Sequence, residues 1–244
     1  MTLTSQGFYE QEASQYDSRR WLTPAGQLIS NVQRDILRDF ATEVRNKQVL
    51  EIGAGTGRFT EVLLEQDNDV IAFDISNPML QKLRQRLKSH PNYKLLRTIL
   101  GDARIMGVES SSVDAIVCFN ALSHIPEHKR VFHEIQRVLR PGGLFLFNIP
   151  NYLSLYYPIG LYVKWREKSV TRNVYTMWYD PKKIMRQLKI QGFKIMDIKG
   201  QLHVPTMTPP ILLQLVRYID GKMRNGKSLI LAPIIYIKAQ KLIM

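Results

Sequence analysis

The chain has 244 residues, of which 45% are hydrophobic and 23% charged, so its composition is that of a globular domain with a substantial core. Its single cysteine, Cys118, excludes an internal disulfide framework and is compatible with a reducing cytoplasm. The first 15 residues lack a basic segment followed by an apolar one, and no window approaches the ~20 apolar residues that span a bilayer. We therefore expect a cytoplasmic protein of one domain.

The net charge of +13 is concentrated in the last part of the chain. Residues 1–150 hold 18 Lys/Arg and 17 Asp/Glu, whereas residues 151–244 hold 16 Lys/Arg and four acidic residues. This asymmetry predicts that an anionic partner, such as a peripheral membrane surface, meets residues 151–244. A solvated basic surface without a partner explains the same numbers, and both interpretations stay open.

The first predicted element is a helix over residues 24–44. Thr23 and Pro24 suit its N-cap and first position, because proline is preorganised there and has no amide to leave unpaired. Apolar residues then form one stripe at four-residue intervals: Leu28, Val32, Ile36 and Phe40. Residues 8–22, by contrast, are polar and aromatic without a clear period.

Strands and helices then alternate up to residue 150. The predicted strands cover residues 48–52, 70–73, 94–100, 113–119 and 144–149. Helices are predicted to begin at residues 59 and 77 and to cover 127–139, and a sharp break at 140–143 precedes the fifth strand. Five β–α repeats predict a parallel sheet with helices on both faces and right-handed crossovers.

This alternation ends after residue 150. Residues 151–179 carry eight aromatic side chains: Tyr152, Tyr156, Tyr157, Tyr162, Trp165, Tyr175, Trp178 and Tyr179. A helix is predicted to begin at Asp180-Pro181 and to end at Gly192, which suits a C-terminal capping position. The last predicted elements are strands over 193–198 and 229–237 and an amphipathic stretch over 209–219.

A glycine loop, Glu51-x-Gly53-x-Gly55-x-Gly57, joins the first strand to its helix. Glycine tolerates positive φ and has no Cβ, so a ligand can approach the backbone and the amides that begin the helix. A dinucleotide-binding fingerprint would require glycine where Arg58 stands. The glycines alone are also compatible with a turn that binds no ligand.

Polar residues also end the next three strands, at the edge of the sheet where open α/β folds bind ligands. Asp74 stands 17 residues after Gly57 and suits a pair of ribose hydroxyls. Asp102 can accept from an adenine amine, and Ala103 leaves room beside the ring. Asn120 offers both a donor and an acceptor.

As a set, these residues resemble the first motif and strand-end positions of class I S-adenosylmethionine-dependent methyltransferases, over about residues 45–150. The resemblance implies a Rossmann-like α/β fold with a seven-stranded, mostly parallel, doubly wound sheet of order 3-2-1-4-5-7-6. Strand 7 is then antiparallel, and a small lid is inserted after strand 5. One methyltransferase domain would comprise a helical cap (1–44), a cofactor-binding core (45–150), an acceptor lid (151–179) and the C-terminal part of the core (180–244).

The resemblance also implies S-adenosyl-L-methionine as cofactor and S-adenosyl-L-homocysteine as product. The implied cofactor-binding residues are Tyr16, Arg20, Glu51, Gly53, Ala54, Gly55, Gly57, Asp74, Ile75, Asp102, Ala103 and Asn120. Among them, Tyr16 and Arg20 resemble an N-terminal element that closes over the cofactor.

Methyl transfer from a sulfonium requires alignment, and a general base matters when the acceptor is a hydroxyl or a protonated amine. His124, four residues after Asn120, is the predicted base, with a packing role as the alternative. Tyr156, Tyr157 and Trp178 are the predicted acceptor-binding residues. No metal site is predicted, because Pro126 separates His124 from His128 and no carboxylate set accompanies them.

We therefore expect transfer of a methyl group to an oxygen, nitrogen or carbon of a small molecule by in-line displacement. One alternative is a lipid-like or membrane-associated acceptor, reached through the basic C-terminal part. A second is nucleic acid or protein, although residues 120–123 read Asn-Ala-Leu-Ser rather than an Asn/Asp-Pro-Pro-Tyr-like motif, so no specific nucleic-acid motif is present. A third is a binding module without turnover.

Overall fold

The computed structural model describes residues 5–154, 156–158, 161–162, 175–202, 208, 210–223 and 232–243. Its strands are β1 (Gln48–Ile52), β2 (Asp69–Asp74), β3 (Leu96–Leu100), β4 (Val113–Cys118), β5 (Leu139–Pro150), β6 (Phe193–Gln201) and β7 (Ile234–Lys241). They form one sheet of order β3-β2-β1-β4-β5-β7-β6. Strands β1 to β5 pair in parallel, and β7 is antiparallel to both β5 and β6. The predicted fold class and sheet order are confirmed.

The helices are α1 (Ser5–Glu12), α2 (Tyr16–Trp21), α3 (Pro24–Phe40), α4 (Arg58–Leu64), α5 (Asn77–Leu87), α6 (His128–Val138), α7 (Pro181–Ile190) and α8 (Pro210–Met223). The predicted cap at Thr23 is confirmed, since its Oγ1 accepts from the amide of Gly26 at 3.0 Å. Asp180 likewise caps α7, and Gly192 follows that helix with a φ of 81°. The aperiodic segment at residues 8–22 contains the end of α1 and all of α2.

Two hydrophobic clusters cover the two faces of the sheet. Val49 and Val70 lie in the cluster shared with α3, α4 and α5. Leu50 and Ile71, the next residues along, lie in the cluster shared with α6 and α7. Successive side chains of a strand point to opposite faces, so strands buried on both sides are continuously apolar.

Several predicted boundaries are wrong. The helix predicted over residues 24–44 ends at Phe40, because Ala41 leaves the helical conformation with a ψ of 16°. The strand predicted over residues 193–198 continues to Gln201. The expected break at residues 140–143 is a bulge within a longer strand, because Val113 pairs with Leu139 and Ala115 already pairs with Leu144. The last strand covers Ile234–Lys241 rather than 229–237. Residues 229–231 of that prediction lie outside the described residues.

The shift of β7 has a physical reason in its lysines. Lys238 and Lys241 are each 8% exposed, although charged residues normally mark the end of a buried strand. The Lys241 ammonium donates to the carbonyls of Gln136 and Leu139, at 2.6 and 2.7 Å. Lys238 donates to Glu43 Oε1 at 3.1 Å. Both ammonium groups therefore have acceptors, and the strand continues beyond residue 237.

None of the helices in the described part of the chain combines the length and the apolar content needed to cross a membrane.

Candidate functional site

A cleft of about 780 Å³, including its open mouth, lies at the carboxyl ends of β1 to β4. The strand order reverses between β1 and β4, and open α/β sheets bind ligands at such a point. The predicted site residues that line it are Tyr16, Gly53, Gly55, Asp74, Ile75, Asp102, Ala103, Asn120 and His124.

The glycines of the loop after β1 have different surroundings. Gly53, Gly55 and Gly57 have φ values of 70°, 55° and 85°, a backbone conformation that favours glycine. A Cβ at Gly53 would lie 2.3 Å from Ala121 Cβ, whereas one at Gly55 would meet nothing within 4 Å. Gly53 is therefore required by packing, and Gly55 leaves its backbone open to the cleft.

Gly57 and Ala54 are predicted cofactor residues that do not line the cleft. A Cβ at Gly57 would lie 2.8 Å from Leu83 Cγ, so this glycine lets α4 pack close to α5. Ala54 is buried, and its amide donates to the carbonyl of Phe73 at 3.2 Å. Both residues hold the loop against its neighbours.

Asp74 connects the end of β2 to the glycine loop. One carboxylate oxygen accepts from the amide of Gly55 at 2.8 Å and the other from the amide of Ser76 at 2.9 Å. Burial raises the pKa of Asp74, and these backbone hydrogen bonds oppose that shift. Each oxygen has a second lone pair, so a carboxylate in this position can still accept hydroxyl donors from a ligand.

Glu51 lies beneath the loop and not in the cleft lining. It is 1% exposed and accepts from the Thr60 hydroxyl at 2.5 Å. Burial raises its pKa to about 8. At neutral pH the carboxyl group is therefore largely protonated, and its observed contact fixes α4 to β1.

Asp102 lines the cleft in an ion pair that the sequence did not reveal. Arg104 donates to its carboxylate, with Nη2 2.6 Å from Oδ2, and also reaches Glu127 at 3.1 Å. This guanidinium lowers the pKa of Asp102. Arg104 itself lines the cleft.

Asn120 has a φ of 58°, a left-handed conformation that asparagine adopts more readily than most residues with a side chain. Its amide donates to Asn148 Oδ1 at 2.7 Å, and its own Oδ1 accepts from Asn148 Nδ2 at 2.8 Å. Its Nδ2 donates to Gln33 at 3.1 Å, which also accepts from the buried Arg58 at 2.7 Å. Asn148, Gln33 and Arg58 thus fix Asn120 at the cleft.

The N-terminal helices close one side of the cleft. Tyr9 and Tyr16 both line it, and their ring centroids lie 6.2 Å apart. Burial raises the pKa of Tyr9 above that of an ordinary tyrosine. Arg20 does not line the cleft, but its guanidinium lies 4.6 Å from the Tyr16 ring centroid and can position that ring. Tyr9 was missed because its segment shows no period.

His124 lies on the cleft in a short 3-10 turn after β4. Its ring is 5.8 Å from that of Tyr9, edge to face. Its Nδ1 lies 3.0 Å from the carbonyl oxygen of Tyr175. A carbonyl only accepts, so Nδ1 carries the proton in the neutral ring and Nε2 is the nitrogen with a lone pair.

The predicted acceptor residues Tyr156, Tyr157 and Trp178 are not part of the cleft lining. The rings of Tyr157 and Trp178 contact each other, with centroids 5.1 Å apart. The segment that carries Trp178 is joined to the turn of His124, because the Met177 amide donates to the carbonyl of Ser123 at 2.8 Å. Trp165, also predicted for this lid, lies outside the described residues.

The residues of the cleft fit S-adenosylmethionine. Asp74 supplies acceptors for two hydroxyls, and the open space at Gly55 lets a ligand contact the backbone. Met79 and Ala103 give apolar surface for a flat ring. Within the described residues, no group of three or more His, Cys, Asp or Glu is placed to hold a metal ion.

Comparison with known proteins identifies the class. Residues 50–147 match a family described as a methyltransferase domain. A ubiquinone biosynthesis O-methyltransferase of Coxiella burnetii is 23% identical over 213 residues, which are 82% of this chain and 88% of the relative. A malonyl-[acyl-carrier protein] O-methyltransferase of Paenibacillus sp. is 36% identical over 132 residues, which are 51% of this chain and 45% of the relative.

Among solved structures, magnesium protoporphyrin IX methyltransferase of Synechocystis with bound SAH superposes with a TM-score of 0.70. The alignment covers 97% of each chain at 11% identity, so it supports the fold. Together, the sheet order, the glycine loop and the family match define a Rossmann-like methyltransferase. These findings support a class I, Rossmann-like S-adenosylmethionine-dependent methyltransferase that uses S-adenosylmethionine as its cofactor.

Proposed function

We propose that this enzyme methylates a hydroxyl oxygen of a small molecule, with His124 as general base. The observation that carries the proposal is the contact between His124 Nδ1 and the Tyr175 carbonyl, at 3.0 Å, on a residue that lines the cleft. The contact leaves Nε2 as the basic nitrogen. A hydroxyl must lose a proton as it is methylated, and a positioned imidazole can accept it.

For the cofactor, we propose that Asp74 binds the ribose hydroxyls, with Ile75 beside it. Asp102 and Ala103 would hold the adenine, and Asn120 would lie at the methionine end. S-adenosylmethionine, when bound, supplies an electrophilic methyl group on a sulfonium. Backbone contacts at Gly53 and Gly55 are supported by the positive φ of both residues and by the open space at Gly55.

The N-terminal tyrosines would cover the bound cofactor and exclude water from it. Tyr9 also contacts the His124 ring, so α1 connects the cofactor side of the cleft with the proposed base. Tyr16, positioned by Arg20, continues this wall. A closed, aromatic surrounding aligns the reacting groups, which is the main requirement of in-line methyl transfer.

The two relatives favour oxygen as the methylated atom, since both carry O-methyltransferase in their names. The choice of a hydroxyl rather than a carboxylate as the methylated group rests on His124. A carboxylate acceptor already carries its negative charge and needs no base, so it would leave His124 without a chemical role.

The test compares wild type with His124→Gln, using labelled S-adenosylmethionine and two panels of probe compounds, phenols and aliphatic carboxylic acids. We expect transfer to phenols, with kcat lowered by about 10²- to 10⁴-fold in the variant and with little change in KM. Tyr175→Phe serves as a control, because it keeps the backbone carbonyl that contacts His124.

Three results would contradict the proposal. They are transfer to carboxylic acids alone, an unchanged kcat for phenols in His124→Gln, or a kcat equally reduced in Tyr175→Phe. Isothermal titration of both variants with S-adenosylmethionine separates a loss of chemistry from a loss of cofactor binding.

A further inference from the structure

Helix α8 presents an apolar face to solvent. Its outward side chains are Ile211 (85% exposed), Leu212 (47%), Leu215 (55%), Tyr218 (65%) and Ile219 (40%). At 100° per residue, these positions fall on one side of the helix, so they form a continuous stripe. We call this stripe the α8 face. An exposed apolar patch of this kind marks a surface with a partner.

The opposite side of α8 is attached to the fold. The helix packs on α3 and β6, with Leu213 and Val216 partly buried against the protein. Asp220 is 4% exposed, and its Oδ1 accepts from the amide of Leu202 at 2.8 Å. The helix is therefore held on the core by one side while its apolar side stays outermost.

The charged residues of α8 other than Asp220 are basic. Asp220 is the only acidic residue in the sequence of α8, and it is buried on the inner side. Arg217 is exposed, and Lys222 belongs to the same helix. Residues 151–244 as a whole carry 16 Lys/Arg against four acidic residues. Apolar side chains flanked by lysine and arginine are the composition of helices that lie in the interface of an anionic bilayer.

Two other occupants fit this surface less well. A helix of 14 residues is about 21 Å long. One face of it offers much less than the roughly 800 Å² per partner of a stable interface, and a net charge of +13 disfavours self-association. Nucleic acid would require polar and basic side chains where Ile211 and Leu215 are exposed.

We propose that α8 docks the enzyme peripherally on an anionic lipid bilayer, with the α8 face in the interface and its basic residues at the headgroups. Each basic residue near such a surface changes the partition coefficient by about fivefold, and buried apolar side chains add to it. Docking requires no particular acceptor, so it can hold or fail independently of the hydroxyl chemistry proposed above.

The test measures sedimentation of the whole protein with vesicles of phosphatidylglycerol and phosphatidylcholine, and with vesicles of phosphatidylcholine alone. Ile211→Asp changes the α8 face, and Ile190→Asp is its matched control, since Ile190 is 78% exposed at the end of α7. Both variants replace an exposed isoleucine and change the net charge equally. Circular dichroism and S-adenosylmethionine titration verify that both are folded.

We expect wild type and Ile190→Asp to sediment with the anionic vesicles and to be released by salt. Ile211→Asp should lower the partition coefficient by about tenfold or more, and Arg217→Gln by about fivefold. Equal binding of Ile211→Asp and Ile190→Asp would overturn the proposal, as would absence of wild-type binding. A wild type that is dimeric without vesicles, and that Ile211→Asp makes monomeric, would overturn it in favour of self-association. Equal binding of duplex DNA by wild type and Ile211→Asp, without binding to vesicles, would overturn it in favour of nucleic acid.

Discussion

Substitution of Asp74 by asparagine tests the link between the glycine loop and the cofactor. The carboxylate accepts two backbone amides, from Gly55 and Ser76, one on each oxygen. An asparagine side chain keeps one oxygen and places an NH₂ group where the other was. One buried amide then loses its acceptor and faces a donor.

The magnitude follows from those two hydrogen bonds. A buried donor left unsatisfied costs about 1–3 kcal/mol, so the free energy of unfolding should fall by that amount. Burial already raises the pKa of Asp74, and removing the charge recovers part of its desolvation cost, which places the net loss at the lower end. Loss of the charged acceptor of a ribose hydroxyl weakens cofactor binding by a further ~1.5–3 kcal/mol, which raises Kd by about 10- to 150-fold.

Isothermal titration with S-adenosylmethionine measures the affinity, and urea denaturation without ligand measures the stability. Asp69→Asn is the matched control, because Asp69 is the exposed first residue of β2 and Asp74 is the last residue of the same strand. The control should retain both wild-type values. A Kd of Asp74→Asn equal to that of wild type would refute the assignment of the ribose to Asp74, whatever happens to stability.

Two further predictions concern the same loop. Gly53→Ala and Gly55→Ala share the cost of a positive φ, but only a Cβ at Gly53 meets Ala121. The free energy of unfolding of Gly53→Ala should therefore be lower than that of Gly55→Ala by about 1–3 kcal/mol, while Gly55→Ala should lose more cofactor affinity. A less stable Gly55→Ala in urea, or a weaker cofactor affinity of Gly53→Ala in calorimetry, would contradict this. For Glu51, burial raises the pKa from 4.5 to about 8, so its contribution to stability is complete below about pH 4.5 and is lost as pH rises through about 8. Relative to Glu51→Gln, wild type should lose stability over that window by up to about 1.4 kcal/mol per pH unit, and parallel curves would show that Glu51 is not buried in its acid form.

The parts predicted well from the sequence are those in which local pattern and ligand chemistry coincide. The glycine loop and Asp74 follow directly after continuous apolar strands, and the structure places them at one edge of the sheet. The sheet order was available only through the family resemblance, because periodicity does not determine which strands pair.

The missed parts depend on contacts between distant residues. Tyr9 lies in a segment without a period, and its position is defined by the rings of Tyr16 and His124. The end of β7 was misplaced because Lys241 finds its acceptors in a segment about a hundred residues earlier. Arg104 was missed because its pairing with Asp102 gives no pattern in the sequence.

The position of β7 between β5 and β6 has a consequence for folding. Among the described strands, β6 pairs only with β7, although β6 precedes it in the chain. During synthesis, β6 and α7 are therefore made before the strand that connects them to the rest of the sheet, and their pairing is a late event over a long sequence separation. Until β7 is inserted, the side of β5 that faces away from β4 has unpaired backbone groups. A newly made chain is therefore exposed to mispairing along this side of β5.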